Sequence, residues 1–247
     1  MKTLMSLVLR SSFNENFYLY SLLVLLLANF GCDPTPKPVK QYSLPIQEQY
    51  QETPEWCWVS VCQMVLQFNH VGTVNPAGDY QCGIVGWYFQ NTACYSNCYL
   101  CRNNAAQSLD DILRVYSYYP ATAKALNGGV GPSTITYNAY ESSLGDDQIM
   151  AQIDAGSPIE AGINPDGYIV GPTAQHATLI IGYIKYDDGS LDVIVNDPFP
   201  YQLTPYPNPY FAAGGQTNGN GQYQINSNNF RGRLLWEQTV DAFTAVY

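Results

Sequence analysis

Charge is scarce in this chain. Only 12% of its 247 residues are Asp, Glu, Lys or Arg, and the 10 basic residues are outnumbered by 20 acidic ones, giving a net charge of −10. No cluster of Lys or Arg stands out, which excludes binding to nucleic acid or to anionic membrane through charge. Histidine is rarer still, with only 2 in the chain, at positions 70 and 176. No internal repeat is evident. The one long apolar run, Phe17 to Phe30, is too short for a comfortable membrane span. What is abundant is apolar and aromatic. Hydrophobic residues make up 46%, and 21 tyrosines raise the aromatic share to 14%. That supports one generous domain or two small ones, with a surface kept soluble by Asn, Gln, Ser, Thr and Tyr.

The apolar run follows Lys2 and Arg10 and centres on Leu22-Leu23-Val24-Leu25-Leu26-Leu27, the pattern of a signal-peptide core. It ends at Asn29-Phe30-Gly31-Cys32. A small residue followed by Cys resembles a bacterial lipobox, in which the cysteine is lipidated, although Asn29 and Phe30 stand where aliphatic and small residues are usual. Residues 1–31 are therefore expected to be a signal peptide of lipoprotein type. Residues 32–40, with Pro34, Pro36 and Pro38, form a stiff extended linker, and residues 41–247 form the globular domain. The expected location is the cell envelope through a lipid on Cys32, the membrane being reached in no other way. Ordinary secretion or a periplasmic location is the alternative, and an uncleaved anchor the third.

Seven cysteines occur, at 32, 57, 62, 82, 94, 98 and 101. An exported protein favours disulfides, so one or two are expected among Cys62, Cys82, Cys94, Cys98 and Cys101, with partners left open. Cys94-x3-Cys98-x2-Cys101 invites a zinc reading, but neither histidine is near in sequence and the spacing is irregular; no metal and no cofactor are expected.

One of these cysteines sits in an unusual place. In Gln51-Glu52-Thr53-Pro54-Glu55-Trp56-Cys57-Trp58-Val59-Ser60 a thiol lies between two tryptophans at the start of a helix-length apolar run ending near Asn69-His70-Val71-Gly72. Pro favours the first helical turn. The unpaired N–H groups and partial positive charge of a helix N-terminus stabilise a thiolate. Gln51, six residues upstream, carries an amide able to donate to an oxyanion. Trp56 and Trp58 suit a core, and Trp58 also suits a cleft wall. Glu52 and Glu55 suit solvated loop positions that face away from the sulfur, since a carboxylate beside a thiolate disfavours it.

Further along, residues 79–106 are read as a short helix and a stapled loop. Ser108-Leu109-Asp110-Asp111 opens a second helix with a capping-box pattern, expected to stop before Pro120. Residues 121–145 look irregular. A third helix runs from about Asp146 to Ala155. Strands follow at Ile159–Ile163, Ala177–Ile184 and Leu191–Val195, the last two forming a hairpin across Asp187-Asp188-Gly189. Residues 198–229 are rich in Pro, Tyr, Gly and Asn, and an apolar segment runs from Leu234 to Val246. Helices first and antiparallel strands second is an α+β plan.

A cysteine nucleophile needs a base. His70 lies thirteen residues on, about 20 Å along the same helix, which removes it. His176 opens an apolar strand, and the hairpin returns at Asn196-Asp197-Pro198, roughly opposite. Asp197 is the expected partner that orients the imidazole. Asn196 is the alternative, because period-2 alternation lets only one of the two face the site.

Gln51-x5-Cys57-Trp58, a distant His176-Ala177 ahead of an apolar Gly182-Tyr183 strand, and Asn196-Asp197-Pro198 together resemble a papain-like cysteine peptidase. The similarity is to its compact bacterial form, which includes secreted and plant-pathogen effector proteases. It covers about residues 41–200, with Trp236 a further match. The resemblance implies a helical lobe, a β-lobe and a cleft between them. It also implies Cys57 as nucleophile, His176 as general base and acid, Asp197 as orienter, and Gln51 as oxyanion donor beside the Cys57 N–H. Ser60 after Val59 meets the family's usual small residue. No counterpart to the large propeptide of papain-type zymogens is expected, since Asp33–Gln41 is the run that separates Cys32 from Tyr42. A monomer acting on peptides or proteins is expected. Two alternatives are an amidase or acyl-transferase of transglutaminase type with the same Cys-His-Asp set, and a non-catalytic surface-binding lipoprotein.

Overall fold

A computed structural model describes residues 35–101, 107–165 and 176–247. The expected signal peptide and Cys32 lie outside the described residues. The chain divides at Pro36 into two compact units, of which Lys37–Tyr247 holds every element below.

In chain order the elements are strand β1 (Pro38–Ser43), helices α1 (Cys57–Phe68), α2 (Tyr80–Tyr88) and α3 (Leu109–Leu126), strand β2 (Thr134–Tyr140), and helix α4 (Asp146–Asp154). Strands β3 (Ile159–Ile163), β4 (His176–Tyr186), β5 (Leu191–Asn196), β6 (Gln216–Gly219) and β7 (Gln222–Asn226) follow, then helix α5 (Ser227–Arg233) and strand β8 (Trp236–Val246). Short helical turns occur at Ala93–Ser96, Cys98–Cys101, Tyr201–Leu203 and Pro209–Ala212. All strand pairs are antiparallel, in the order β2-β8-β3-β4-β5-β7-β6, with β1 paired to β4. Helices from the first half pack on a sheet drawn mostly from the second, with β1 joining it from the first, an α+β architecture. No helix among the described residues is long and apolar enough to cross a membrane.

α1 is the central core helix: every residue from Cys57 to Leu66 is buried. It has no acidic residue in its first turn, no basic one in its last, and no side-chain cap. Burial rather than helix-end electrostatics therefore holds it. α3 differs from the sequence reading, which stops it before Pro120. Ser108 accepts the Asp111 N–H and Asp111 reaches back to Ser108, closing a capping box, and the helix runs through Pro120 to Leu126. An interior proline forfeits one backbone bond, at roughly 3 kcal/mol. Here Tyr116, Tyr119, Pro120 and Ala123 are buried on one face, and their burial offsets the loss.

Residues 121–145 are likewise not irregular, since they finish α3 and supply β2, whose Thr134-Ile135-Thr136-Tyr137 is β-branched and aromatic, a strand composition. Within residues 198–229 the chain forms β6, β7 and the start of α5. The final apolar segment is β8, inserted between β2 and β3.

β4 is the hub of the sheet. It pairs with β3 over His176–Ile180, with β5 over Leu179–Lys185, and with β1 over Gly182–Tyr186. β1 comes so close that a Cβ on Gly182 would lie 2.7 Å from the Tyr42 carbonyl oxygen and 3.0 Å from the Ser43 Cα. Those are backbone atoms without room to shift. Gly182→Ala is expected to destabilise the fold by about 1–3 kcal/mol, read as a lower urea midpoint. An unchanged midpoint would mean that β1 yields freely.

Two disulfides staple the helical side, Cys82–Cys98 and Cys94–Cys101. Cys57 and Cys62 are free and buried. Cys62 is thus the odd thiol of the expected five. Burial first, then the charge of Glu160, pushes its pKa well up, so it rests as an inert thiol.

Candidate active site

Cys57 is the first residue of α1 and is 8% exposed. The leading N–H groups of a helix have no acceptor within it, and no side chain caps them here. The loop before it is fastened by amides. Ser60 Oγ donates to the Gln49 carbonyl, Gln63 Nε2 to Gln49 Oε1, and Gln81 Nε2 to Gln63 Oε1 and the Tyr50 carbonyl. The Gln51 N–H donates to the Pro198 carbonyl at 2.9 Å, joining this loop to the segment after β5.

His176 opens β4 opposite Ile163 of β3. Its Nε2 lies 2.7 Å from Asp197 Oδ1. Cys57 and the ring line the same cavity, and with Nε2 taken by Asp197 the nitrogen left for the thiol is Nδ1. The edge of Phe199 meets the imidazole at 6.5 Å between centroids, covering it from water.

Asp197 is fully buried and held on every side. Oδ1 also accepts the Phe199 N–H at 2.8 Å, Oδ2 accepts the Tyr210 hydroxyl at 2.8 Å, and its own N–H donates to the Gly221 carbonyl. Tyr210 is in turn stacked on Tyr223, 4.1 Å between centroids. Asn196 faces the other way. Its Nδ2 donates to the Ile46 carbonyl and its Oδ1 accepts from Gln222. Strand alternation thus puts Asp197, not Asn196, beside His176.

The charges explain the imidazole. Burial alone would lower its pKa. The Asp197 carboxylate, its hydrogen bond and the contact with Cys57 outweigh burial and raise it to about 10. In an unfolded chain the value returns to about 6.5. The imidazolium's contribution to stability is therefore complete below pH 6.5 and is lost as pH rises through the folded value near 10. Urea midpoints measured across that window are expected to fall with rising pH, and to fall less in Asp197→Asn. A flat profile for the native protein would contradict the pairing.

Gln51 is buried beside the same cleft, but both of its amide hydrogens are engaged, Nε2 donating to the Thr53 and Pro54 carbonyls at 2.8 Å each. His70 is exposed at the far end of α1, with φ 60°. Trp56 is wholly buried, whereas Trp58 lines a cavity with Cys57 and stands edge-on to Tyr88. Trp236 packs against Phe230. Glu55, read as facing away from the sulfur, is exposed but lines the same cavity as Cys57.

Two cavities meet at His176. One, of about 300 Å³, is bounded by Cys57, Trp58, Ile112, Glu160 and Val240. The other, of about 560 Å³, lies on the Gln51 side among Asn164, Phe199, Tyr201 and Tyr206. Glu160, Tyr210 and Phe199 are absent from the sequence reading. Asn208-Pro209, a helix-start signature, marks the turn carrying Tyr210, and the 160/162 alternation of β3 marks Glu160 as sharing a face with Gly162. As for metals, Glu52, Asp79, Cys82 and Cys98 bring their ligand atoms within 4.8 Å of one another. The two sulfurs are joined as a disulfide, so no thiolate pair remains for a soft ion.

Residues 41–229 match the family model described as the Peptidase_C39 like family. No curated protein matches the sequence. Among solved structures, similarity extends to the 2.05 Å crystal structure of the Amb a 11 cysteine protease, a major ragweed pollen allergen, in its proform. That match has a TM-score of 0.45 and 11% identity, and spans 84% of this chain and 66% of the other.

Proposed function

The chain belongs to the Peptidase_C39-like family, and from that premise we propose that it is a papain-like cysteine peptidase that hydrolyses peptide bonds with Cys57 as nucleophile, His176 as base and acid, and Asp197 as orienter. The observation that carries this is the 2.7 Å contact between His176 Nε2 and a fully buried Asp197, with Cys57 lining the same cavity as the ring. Asp197 takes the Nε2–H, which leaves Nδ1 to receive the thiol proton. The thiolate attacks the substrate carbonyl. The imidazolium protonates the leaving amine, and the base-activated water then releases the acyl group. Negative charge developing on the carbonyl oxygen is met by the Cys57 N–H and by Gln51. For Gln51 to take part, one of its bonds to the Thr53 or Pro54 carbonyl must open as substrate arrives.

Export accompanies this reading. The N-terminal charge-then-apolar pattern, Cys32 after Gly31, and two disulfides that persist in oxidising compartments support it.

A peptidyl epoxide of the type that alkylates papain-like enzymes tests the function. One adduct, mapped to Cys57 and missing in Cys57→Ala, is expected. If Cys57 stays unmodified while the folded protein is intact, the peptidase reading fails.

A further inference from the structure

We propose that the cavity floored by Glu160 is a specificity pocket that takes a lysine or arginine side chain of the peptide substrate. This deepens the peptidase reading and rests on it.

β3 places Glu160 and Gly162 on one face, and both line the cavity that begins at Cys57 and His176. Gly162 brings no side chain, so space is left above the carboxyl group. The apolar part of the walls is Trp58 of α1, Leu109 and Ile112 of α3, and Val240 of β8, with Ser108, Gln238 and Thr239 adding polar lining. Apolar walls with an acid at the end suit a side chain that has a methylene stem and a cationic head.

Glu160 itself is 3% exposed. Its Oε2 accepts the Tyr116 hydroxyl at 2.6 Å, and Oε1 accepts no hydrogen bond among the described residues. Oε1 is not sealed from solvent, so a donor can reach it. An ammonium or guanidinium arriving through the cavity supplies that donor. No Lys or Arg is among the described lining residues, and the one cation there, the His176 imidazolium, is already paired with Asp197. Glu55 at the exposed rim adds a second negative charge to the path. Low-dielectric walls focus such a field. Burial pushes the Glu160 carboxyl up to about 7, and a bound cation would draw it to the ionised form.

The neutral alternative is that Glu160 serves only to hold Tyr116 in the core. Two comparisons separate the readings. In the first, the native protein is treated with peptidyl epoxides that differ at one residue, carrying arginine, its uncharged isostere citrulline, or norleucine, with that residue moved along the peptide. The rate of alkylation of Cys57 should be about tenfold or more higher for arginine than for citrulline at one position. In the second, Glu160→Gln, whose amide oxygen still accepts from Tyr116, should lose that ratio. Equal rates for arginine and citrulline at every position overturn the pocket and leave the peptidase reading standing. So does a Glu160→Gln variant that lowers all rates by one factor and keeps the ratio. If no epoxide reacts at any position, the peptidase reading falls and the pocket goes with it.

Discussion

Replacing His176 with alanine is expected to lower kcat/KM by about ten-thousand-fold or more, in the range seen when one member of a nucleophile–base set is removed. Almost all of the loss should lie in kcat, since Nδ1 acts on the thiol and the leaving amine rather than on the groups that hold the substrate. His70 offers no substitute, being exposed at the opposite end of α1. The variant should still fold, because Asp197 keeps the Phe199 N–H and the Tyr210 hydroxyl. Steady-state kinetics on any cleaved peptide, with circular dichroism as a check, measure this. A variant retaining a tenth of the native rate would remove His176 from the chemistry.

Asp197→Ala is expected to act on rate and stability together. Three donors converge on this carboxylate, from His176, Phe199 and Tyr210. Alanine leaves them unsatisfied in a dry site, and breaking a buried, paired charge costs about 3–5 kcal/mol. The imidazole also loses the acceptor that fixes its tautomer, so kcat should drop by about a hundredfold or more. Asp197→Asn separates the two effects. It keeps an oxygen for the imidazole N–H and most of the packing, so stability and part of the rate should return. The upper pH limit of activity should nevertheless move down, because the charge that holds the imidazolium is gone. Equal losses in both variants would assign Asp197 to packing alone.

The sequence showed the core of this arrangement because its signals are local. A cysteine at a helix start, one eligible histidine at a strand start, and a hairpin of readable length suffice to bring His176 and Asp197 together. The strands β3, β4 and β5 have the alternation and the turn residues that mark them. What stayed hidden depends on long-range burial. Pro120 ends a helix on propensity, yet α3 passes it because the face around it is covered. β2 is a short β-branched stretch inside a Gly-rich region and gains its identity only by pairing with β8, about a hundred residues away. The Gln51 amide is another case. Its donors turn to the Thr53 and Pro54 carbonyls, a local competition that spacing alone does not reveal.

The position of β8 bears on when during folding the cleft is complete. This last strand enters between β2 and β3, and its Gln238, Thr239 and Val240 form one side of the cavity beside Cys57. Asp197 likewise waits for Tyr210 and for the Gly221 carbonyl. The nucleophile therefore lies early in the chain, and the base and its partners lie late. Until the final strand arrives, β2 is unpartnered and one wall of the cleft is missing. Pairings this distant in sequence form slowly. Docking of β8 is thus the step that completes the cleft.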